Sequence, residues 1–316
     1  MVSGIFAGIT WALETVVLGI ALSMHPFVST KEGLFLAPFI STFIHDAASA
    51  FYMLIYNTFK NDLKEVFMIL KNKNLKWLIV ASAIGGPIGM TGYVLAVNYM
   101  GASIGAVASA IYPAIGTILA YIFLKEEIKW YQWFFLIITL LGVFGLSYSP
   151  ELNIRSFWLG LCGVFMCAFG WGIEGVILSK CFKNETIKTE YALLVRQVTS
   201  AIIYGLIILP LLSGWEFTTE LFIKENVYVL LIIAFSALCA TISYLLYYKT
   251  ISVIGVSKAM GLNITYTAWA ILFTAVILRD VSNLNVLTVT CAILVVVCGT
   301  FAATDFKAIF DYTRKK

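Results

Sequence analysis

The sequence predicts an all-α integral membrane protein with ten transmembrane helices in two inverted five-helix repeats. Three observations carry that expectation. Of the 316 residues, 61% are hydrophobic and 12% charged, and a mean hydropathy of +0.93 exceeds what a soluble core needs. Ten apolar runs of spanning length follow one another along the chain. A tryptophan with a glutamate three residues later occurs twice, at Trp11 and Glu14 and at Trp171 and Glu174, each time in the opening run of a series of five.

The runs lie at roughly 4–22, 34–59, 77–98, 102–124, 130–147, 157–180, 191–212, 227–248, 253–278 and 286–304. They are helical in composition and too long for barrel strands. The first carries no basic region before it and no small-residue cleavage signal after it, so it reads as a retained helix and not a signal peptide. Gly4 and Gly8 in it form a helix-packing motif. The second places His45 and Asp46 midway along its length, on directions about 100° apart. In the third, Gly85-Gly86-Pro87-Ile88-Gly89 should loosen or kink the helix, because proline removes a backbone donor and glycine tolerates the bend.

The fourth run presents the small residues Gly101, Gly105, Ser109 and Ala110, with Tyr112 beside Pro113, a face suited to close helix contact. Trp130, Trp133, Trp158 and Trp215 stand near run ends, where an amphipathic ring anchors at the membrane interface. The sixth run centres on Phe169-Gly170-Trp171-Gly172-Ile173-Glu174-Gly175. Trp171 and Glu174 share one helix face there, and the glycines leave room for something to approach. Arg196 and Gln197 lie early in the seventh. The eighth and ninth concentrate rings: Tyr244 with Tyr247 and Tyr248, then Tyr266 with Trp269, at same-face spacing.

Comparing the halves makes the repeat explicit. Trp11 and Glu14 precede Trp171 and Glu174 by 160 positions, while Tyr93, Gly101, Tyr112 and Glu126 precede Tyr247, Gly255, Tyr266 and Asp280 by 154. Five spans followed by five similar ones force the second half to enter with opposite orientation, the inverted-repeat logic of secondary transporters. The expected units are 1–150 and 151–306, with a cytoplasmic tail at 307–316. An N-terminus inside leaves only Lys31, Arg155, Lys224 and Arg279 among the 21 Lys and Arg outside, with Arg196 within a span. Both termini are therefore expected in the cytoplasm, with the protein multi-pass in the bacterial cytoplasmic membrane.

Several chemistries are excluded or left unsupported by the same reading. Gly170-x-Gly172-x-x-Gly175 matches the dinucleotide fingerprint in form, but no strand precedes it and its context is a spanning helix. The six cysteines form no C-x-x-C pair and read as packing residues, so no metal or redox site is expected. No Walker A sequence, nucleophile elbow or cofactor motif is present, which argues against an enzyme and against a cofactor. Nothing suggests nucleic acid as a partner; the lipid bilayer is implied.

A carboxylate at mid-bilayer costs on the order of 2.5 to 3.5 kcal/mol even on lenient scales, so the polar residues at depth ask for a use. They are Glu14, His45, Asp46, Glu174, Arg196, Gln197 and Asn263. Arg196 either neutralises a carboxylate or snorkels to the interface. Rings around a cavity with one or two carboxylates describe a receptor for an organic cation, above all a quaternary ammonium. Each ring contributes up to about 2 kcal/mol when desolvated.

Ten spans in two inverted halves resemble the drug/metabolite transporter superfamily of EamA type over essentially the whole chain. Gly86-Pro87-Ile88-Gly89-Met90, Ser109-Ala110-Ile111-Tyr112-Pro113-Ala114, Trp171-Gly172-x-Glu174 and Leu194-x-Arg196-Gln197-Val198-Thr199-Ser200 look like its bacterial LicB-type choline-uptake branch. His45-Asp46, Ile242-Ser243-Tyr244 and Gly261-Leu262-Asn263 point the same way. The resemblance implies secondary active choline import across the cytoplasmic membrane. It carries Trp11, Asp46, Trp171, Glu174, Tyr244, Tyr247, Tyr266 and Trp269 over as site positions, and Tyr112 joins them as a candidate for substrate binding. Glu14 falls where that branch has no fixed glutamate and marks a variant pocket. Burial can bring a carboxylate into the working pH range, so Glu14, Asp46 and Glu174 are the candidates for proton coupling in a symporter. An exporter of amino acids or drugs on the same fold and, more remotely, an intramembrane enzyme are the rival readings.

Overall fold

The computed structural model describes residues 1–100, 102–147, 156–183, 187–223, 226–282 and 284–306. Among them the chain is entirely helical. Gly101, Arg155, Lys224 and the 307–316 tail lie outside the described residues, as do the surroundings of Gly105 and the side chain of Ser109.

Among the described residues seven helices are long and apolar enough to cross a membrane: α1 (Val2–Leu22), α2 (Lys31–Phe59), α3 (Leu75–Met100), α6 (Phe157–Lys183), α7 (Thr189–Leu211), α8 (Val227–Ile254) and α9 (Val256–Ile277). Between and after them run α4 (Ala102–Leu119), α5 (Trp130–Leu146) and α10 (Val286–Ala302), in part too short for that criterion. Two short helices, Leu63–Met68 and Trp215–Ile223, lie in connections that hydrophobicity alone leaves blank.

The ends obey local chemistry. Thr30 caps α2 by accepting from Gly33 N at 2.9 Å, and Asn285 caps α10 by accepting from Thr288 N at 2.9 Å. At α5, Gln132 reaches back to Lys129 N at 2.9 Å. Lys180 and Lys183 close α6 where the helix dipole favours cations. α8 runs six residues past the expected 248 because nothing apolar stops before Gly255. That glycine, at φ 89°, makes the reversal into α9 in backbone space other residues avoid. Glu126, just past α4, braces the same junction: its carboxylate accepts from Val256 N at 3.1 Å, Ser257 N at 3.3 Å and Ser257 Oγ at 2.6 Å.

The Gly-Pro segment of α3 becomes a π turn over Ile84–Ile88. Gly89 N–H bonds to Ile84 O five residues back, so Gly85 O is left to accept from Trp171 Nε1 at 2.8 Å. The glycines let α3 and α6 close to backbone contact: a Cβ at Gly92 would lie 2.6 Å from Cys167 N and 2.7 Å from Gly163 O, and one at Gly89 would press on the Trp171 ring.

α6 packs along α3 and α4, α1 along α8 and α9, α2 against α7 and α8, and α5 against α10. Large apolar side chains such as Phe51, Phe123, Leu141, Leu206, Leu231 and Ile293 stay exposed on the perimeter, the surface that hydrocarbon would cover. Trp130 and Trp158 are exposed near helix ends. Trp215 is exposed too, at the start of the short helix, where it donates Nε1 to Gly205 O at 2.9 Å and meets Phe43 edge-on. Cys167, Cys181, Cys239, Cys291 and Cys298 are buried and all six cysteines are free.

Candidate functional site

Two neighbouring chambers occupy the middle of the bundle. The smaller, about 60 Å³, is walled by Trp11, Tyr112, Trp171, Glu174, Tyr244, Tyr247, Tyr248, Asn263 and Tyr266. The larger, about 400 Å³, takes Glu14, His45, Asp46, Tyr93 and Arg196 together with apolar wall from Leu18, Leu22, Met90, Val94 and Val97. Trp11, Trp171, Tyr244 and Tyr266 border both, so these four rings are the partition. The larger chamber reaches Leu22 at the end of α1, Pro38 early in α2 and Asn98 at the end of α3, and so extends toward one end of the bundle.

The rings hold one another at edges. Trp11 stands T-shaped to Tyr244 at 4.9 Å and to Tyr266 at 6.4 Å. Trp171 stacks on Tyr93 at 6.2 Å and meets Tyr112 edge-on at 5.7 Å, with its indole N–H tied to Gly85 O. Asn263, next to the Ile264–Thr265 break in α9, donates to the Tyr112 hydroxyl at 3.0 Å.

Arg196 decides the electrostatics. It is buried, with Nε 3.3 Å from Glu174 Oε1 and Nη1 3.6 Å from Asp46 Oδ1, and its guanidinium lies over the Tyr244 ring at 4.5 Å. Nη1 also donates to Gln197 Oε1 at 2.7 Å; Gln197 Nε2 donates to Ser49 Oγ at 2.7 Å, and Ser49 meets Thr241 at 2.6 Å. α2, α6, α7 and α8 are thereby joined through one buried polar network. Of the two roles open to Arg196 in the sequence, pairing with carboxylates is the one the geometry has; it contacts two and cancels the charge of one.

Glu14 is set apart. It faces the larger chamber only, accepting from Thr15 Oγ1 at 3.2 Å and Ser236 Oγ at 3.3 Å. His45 Nε2 stands 3.7 Å from it, while His45 Nδ1 is 3.0 Å from Asp46 Oδ1. Adjacent helix residues need not act together; here the imidazole folds back onto its neighbour's carboxylate and the two do.

Of the sequence-derived candidates, Trp11, Tyr112, Trp171, Glu174, Tyr244, Tyr247 and Tyr266 come together at the smaller chamber, and Asp46 joins at the larger. Trp269 lines neither; its indole nitrogen is buried without a hydrogen-bond partner. Tyr93 and Asn263 line the chambers without having been singled out as site residues. The repeat had paired Tyr93 with Tyr247, and the Asn263 amide was among the polar groups at depth, so both left a trace. Among the described residues no cluster of His, Cys, Asp and Glu could hold a metal ion.

The chain is thus a multi-span helical bundle with a ring-walled central cavity and a buried ionic network, the architecture of an integral membrane protein. Residues 1–148 match the EamA-like transporter family. Protein LicB of Haemophilus influenzae is 33% identical over 194 residues, covering 61% of this chain and 63% of LicB. A protein known from a crystal structure superposes with a TM-score of 0.63 over 96% of this chain and 95% of its own, at 15% identity, a likeness of fold alone. The first half of the chain is thus similar to the EamA-like transporters, and the 194 matched residues to LicB.

Proposed function

We propose that the protein imports choline or a similar small quaternary ammonium compound by alternating access about the ring-walled chamber. The observation that carries this is the partition itself. Four rings from α1, α6, α8 and α9 surround one small space, with the Glu174 carboxylate in its wall. Ring faces attract diffuse positive charge, and a quaternary head presents methyl groups that no hydrogen-bonding pocket needs to satisfy. Asp46, Glu174 and Arg196 together carry one net negative charge, which a monovalent cation cancels.

Alternating access requires the ten helices to form two inverted halves, 1–150 and 151–306. The packing pairs support this: α1 against α8 and α9 answers α6 against α3 and α4, while α2–α7 and α5–α10 answer themselves. With the N-terminus in the cytoplasm, the larger chamber opens outward, the side from which an importer loads. An exporter of amino acids on this fold would need Arg196 for the substrate carboxylate, and Arg196 is already engaged by Asp46 and Glu174.

The experiment is choline uptake by Trp171→Ala and Glu174→Gln proteins that insert normally, with an amino-acid panel as competitors. Uptake should vanish in both and no amino acid should compete. Undiminished uptake in both variants removes this site.

A further inference from the structure

The larger chamber contains a polar centre that the ring-walled chamber does not use. Glu14 and His45 are both more than nine-tenths buried and meet at 3.7 Å between Oε1 and Nε2. His45 Nδ1 lies 3.0 Å from Asp46 Oδ1. A carboxylate only accepts, so Nδ1 carries a proton and donates it. In the neutral ring Nε2 is then a lone pair, and it is buried with no hydrogen-bond partner. A lone pair turned toward a carboxylate oxygen away from bulk water is repulsive until something positive enters between them.

A quaternary ammonium cannot be that group, because it has no N–H to offer either acceptor. A proton can: on Nε2 it makes a charge-assisted N–H···O pair, and on the carboxylate an O–H···N one. Charge counting leads to the same place. The two neighbouring chambers hold Glu14, Asp46 and Glu174 against Arg196, so two negative charges remain. The organic cation cancels one of them. Arg196 contacts Asp46 and Glu174 but not Glu14, whose other neighbours are the hydroxyls of Thr15 and Ser236.

We infer that Glu14 and His45 jointly bind one exchangeable proton, a coupling site distinct from the seat of the organic cation. The inference rests on the transport reading above. The proton adds from water on the side to which the larger chamber opens and leaves to water on the other, with no covalent bond between heavy atoms made or broken. The groups facing the pair are Asp46 on α2, Arg196 on α7, Tyr93 on α3, and Cys239 and Tyr244 on α8. Asp46 and Arg196 offset each other, so the acceptors left without a cation are the Glu14 carboxylate and His45 Nε2.

The test is choline accumulation in proteoliposomes with and without an inward proton gradient, for the wild type, Glu14→Gln and His45→Gln. The readout is the ratio of the two conditions, which weaker binding or less folded protein lowers alike in both arms. At one proton per solute the wild-type ratio should rise by up to about tenfold per pH unit, and in each variant it should fall to unity. A wild-type ratio retained in either variant, or a ratio of unity in a wild type that does transport choline, overturns the inference. If choline is neither accumulated nor exchanged, the substrate reading has failed and the proton site is read separately. The protein has two histidines, so nitrogen-15 NMR of His25→Gln protein reports His45 alone. An Nδ1-protonated ring whose titration changes in Glu14→Gln supports the site; an unchanged titration overturns it.

Discussion

Trp171 does two jobs that substitution can separate. Its ring faces the small chamber, and its indole N–H holds Gly85 O. Trp171→Phe keeps a ring and gives up the hydrogen bond, so choline binding should weaken by about 1 kcal/mol, roughly fivefold in Kd. Trp171→Ala also loses the cation–π contact and should cost about 2 kcal/mol more. Calorimetric titration of choline into the two variants checks the order; equal loss in both would mean that the ring face contributes nothing. At this scale the Trp/Glu pairs and the tyrosine spacing were legible in the sequence, because helical periodicity puts residues three and four apart on a common face. The ionic assignments were not. Arg196, Asp46 and Glu174 are brought together by three different helices, and no spacing rule along one helix reveals that meeting. Trp269 shows the limit of the rule itself: three residues from Tyr266, at the spacing that brings Trp171 and Glu174 to one chamber, it lines neither.

Between elements, the seam of α3 and α6 sets where Trp171 and Glu174 stand. Gly92→Ala would drive a methyl into Cys167 N and Gly163 O, backbone atoms that cannot rotate aside. It should destabilise the protein by about 1–3 kcal/mol, read as a lower melting temperature in detergent, whereas Gly19→Ala, with nothing within 4 Å, should leave stability unchanged or raise it. Similar losses at both positions would contradict the seam. A connection supplies a test in pH. Lys188 Nζ lies 2.7 Å from Glu65 Oε2, and this hydrogen bond, with one from Tyr191, holds the Glu65 carboxyl below its ordinary range. A depressed carboxylate stabilises the fold above its unfolded pKa and loses that contribution as pH falls through the folded one. The melting-temperature gap between wild type and Lys188→Met should therefore be present at neutral pH and close in acid, and a gap that widens in acid would reverse the assignment. The pair is exposed and the gap should be small. Gly-Pro chemistry announced a loosened α3, and the runs ending at 248 and opening at 253 placed a break that the structure puts at Gly255. The short helices at Leu63–Met68 and Trp215–Ile223 went unseen, because hydropathy marks spans and not the short helices between them.

For the whole molecule, seven helices of spanning length and a match to EamA-like transporters over residues 1–148 agree with the class read from composition. Ten spans and their inversion are what we propose from the repeat, whose two offsets were visible only because paired tryptophans, tyrosines and acids stand out against an apolar background. Which way the solute moves, and what it is, depend on the chamber's chemistry and not on the fold. The most direct measurement is therefore the accumulation of radiolabelled choline in proteoliposomes containing the folded protein, against empty liposomes and with unlabelled amino acids as competitors. Saturable accumulation that tetramethylammonium suppresses and amino acids leave alone is the predicted result. No accumulation by demonstrably folded protein, or competition by amino acids as strong as by choline itself, would contradict the quaternary-ammonium reading.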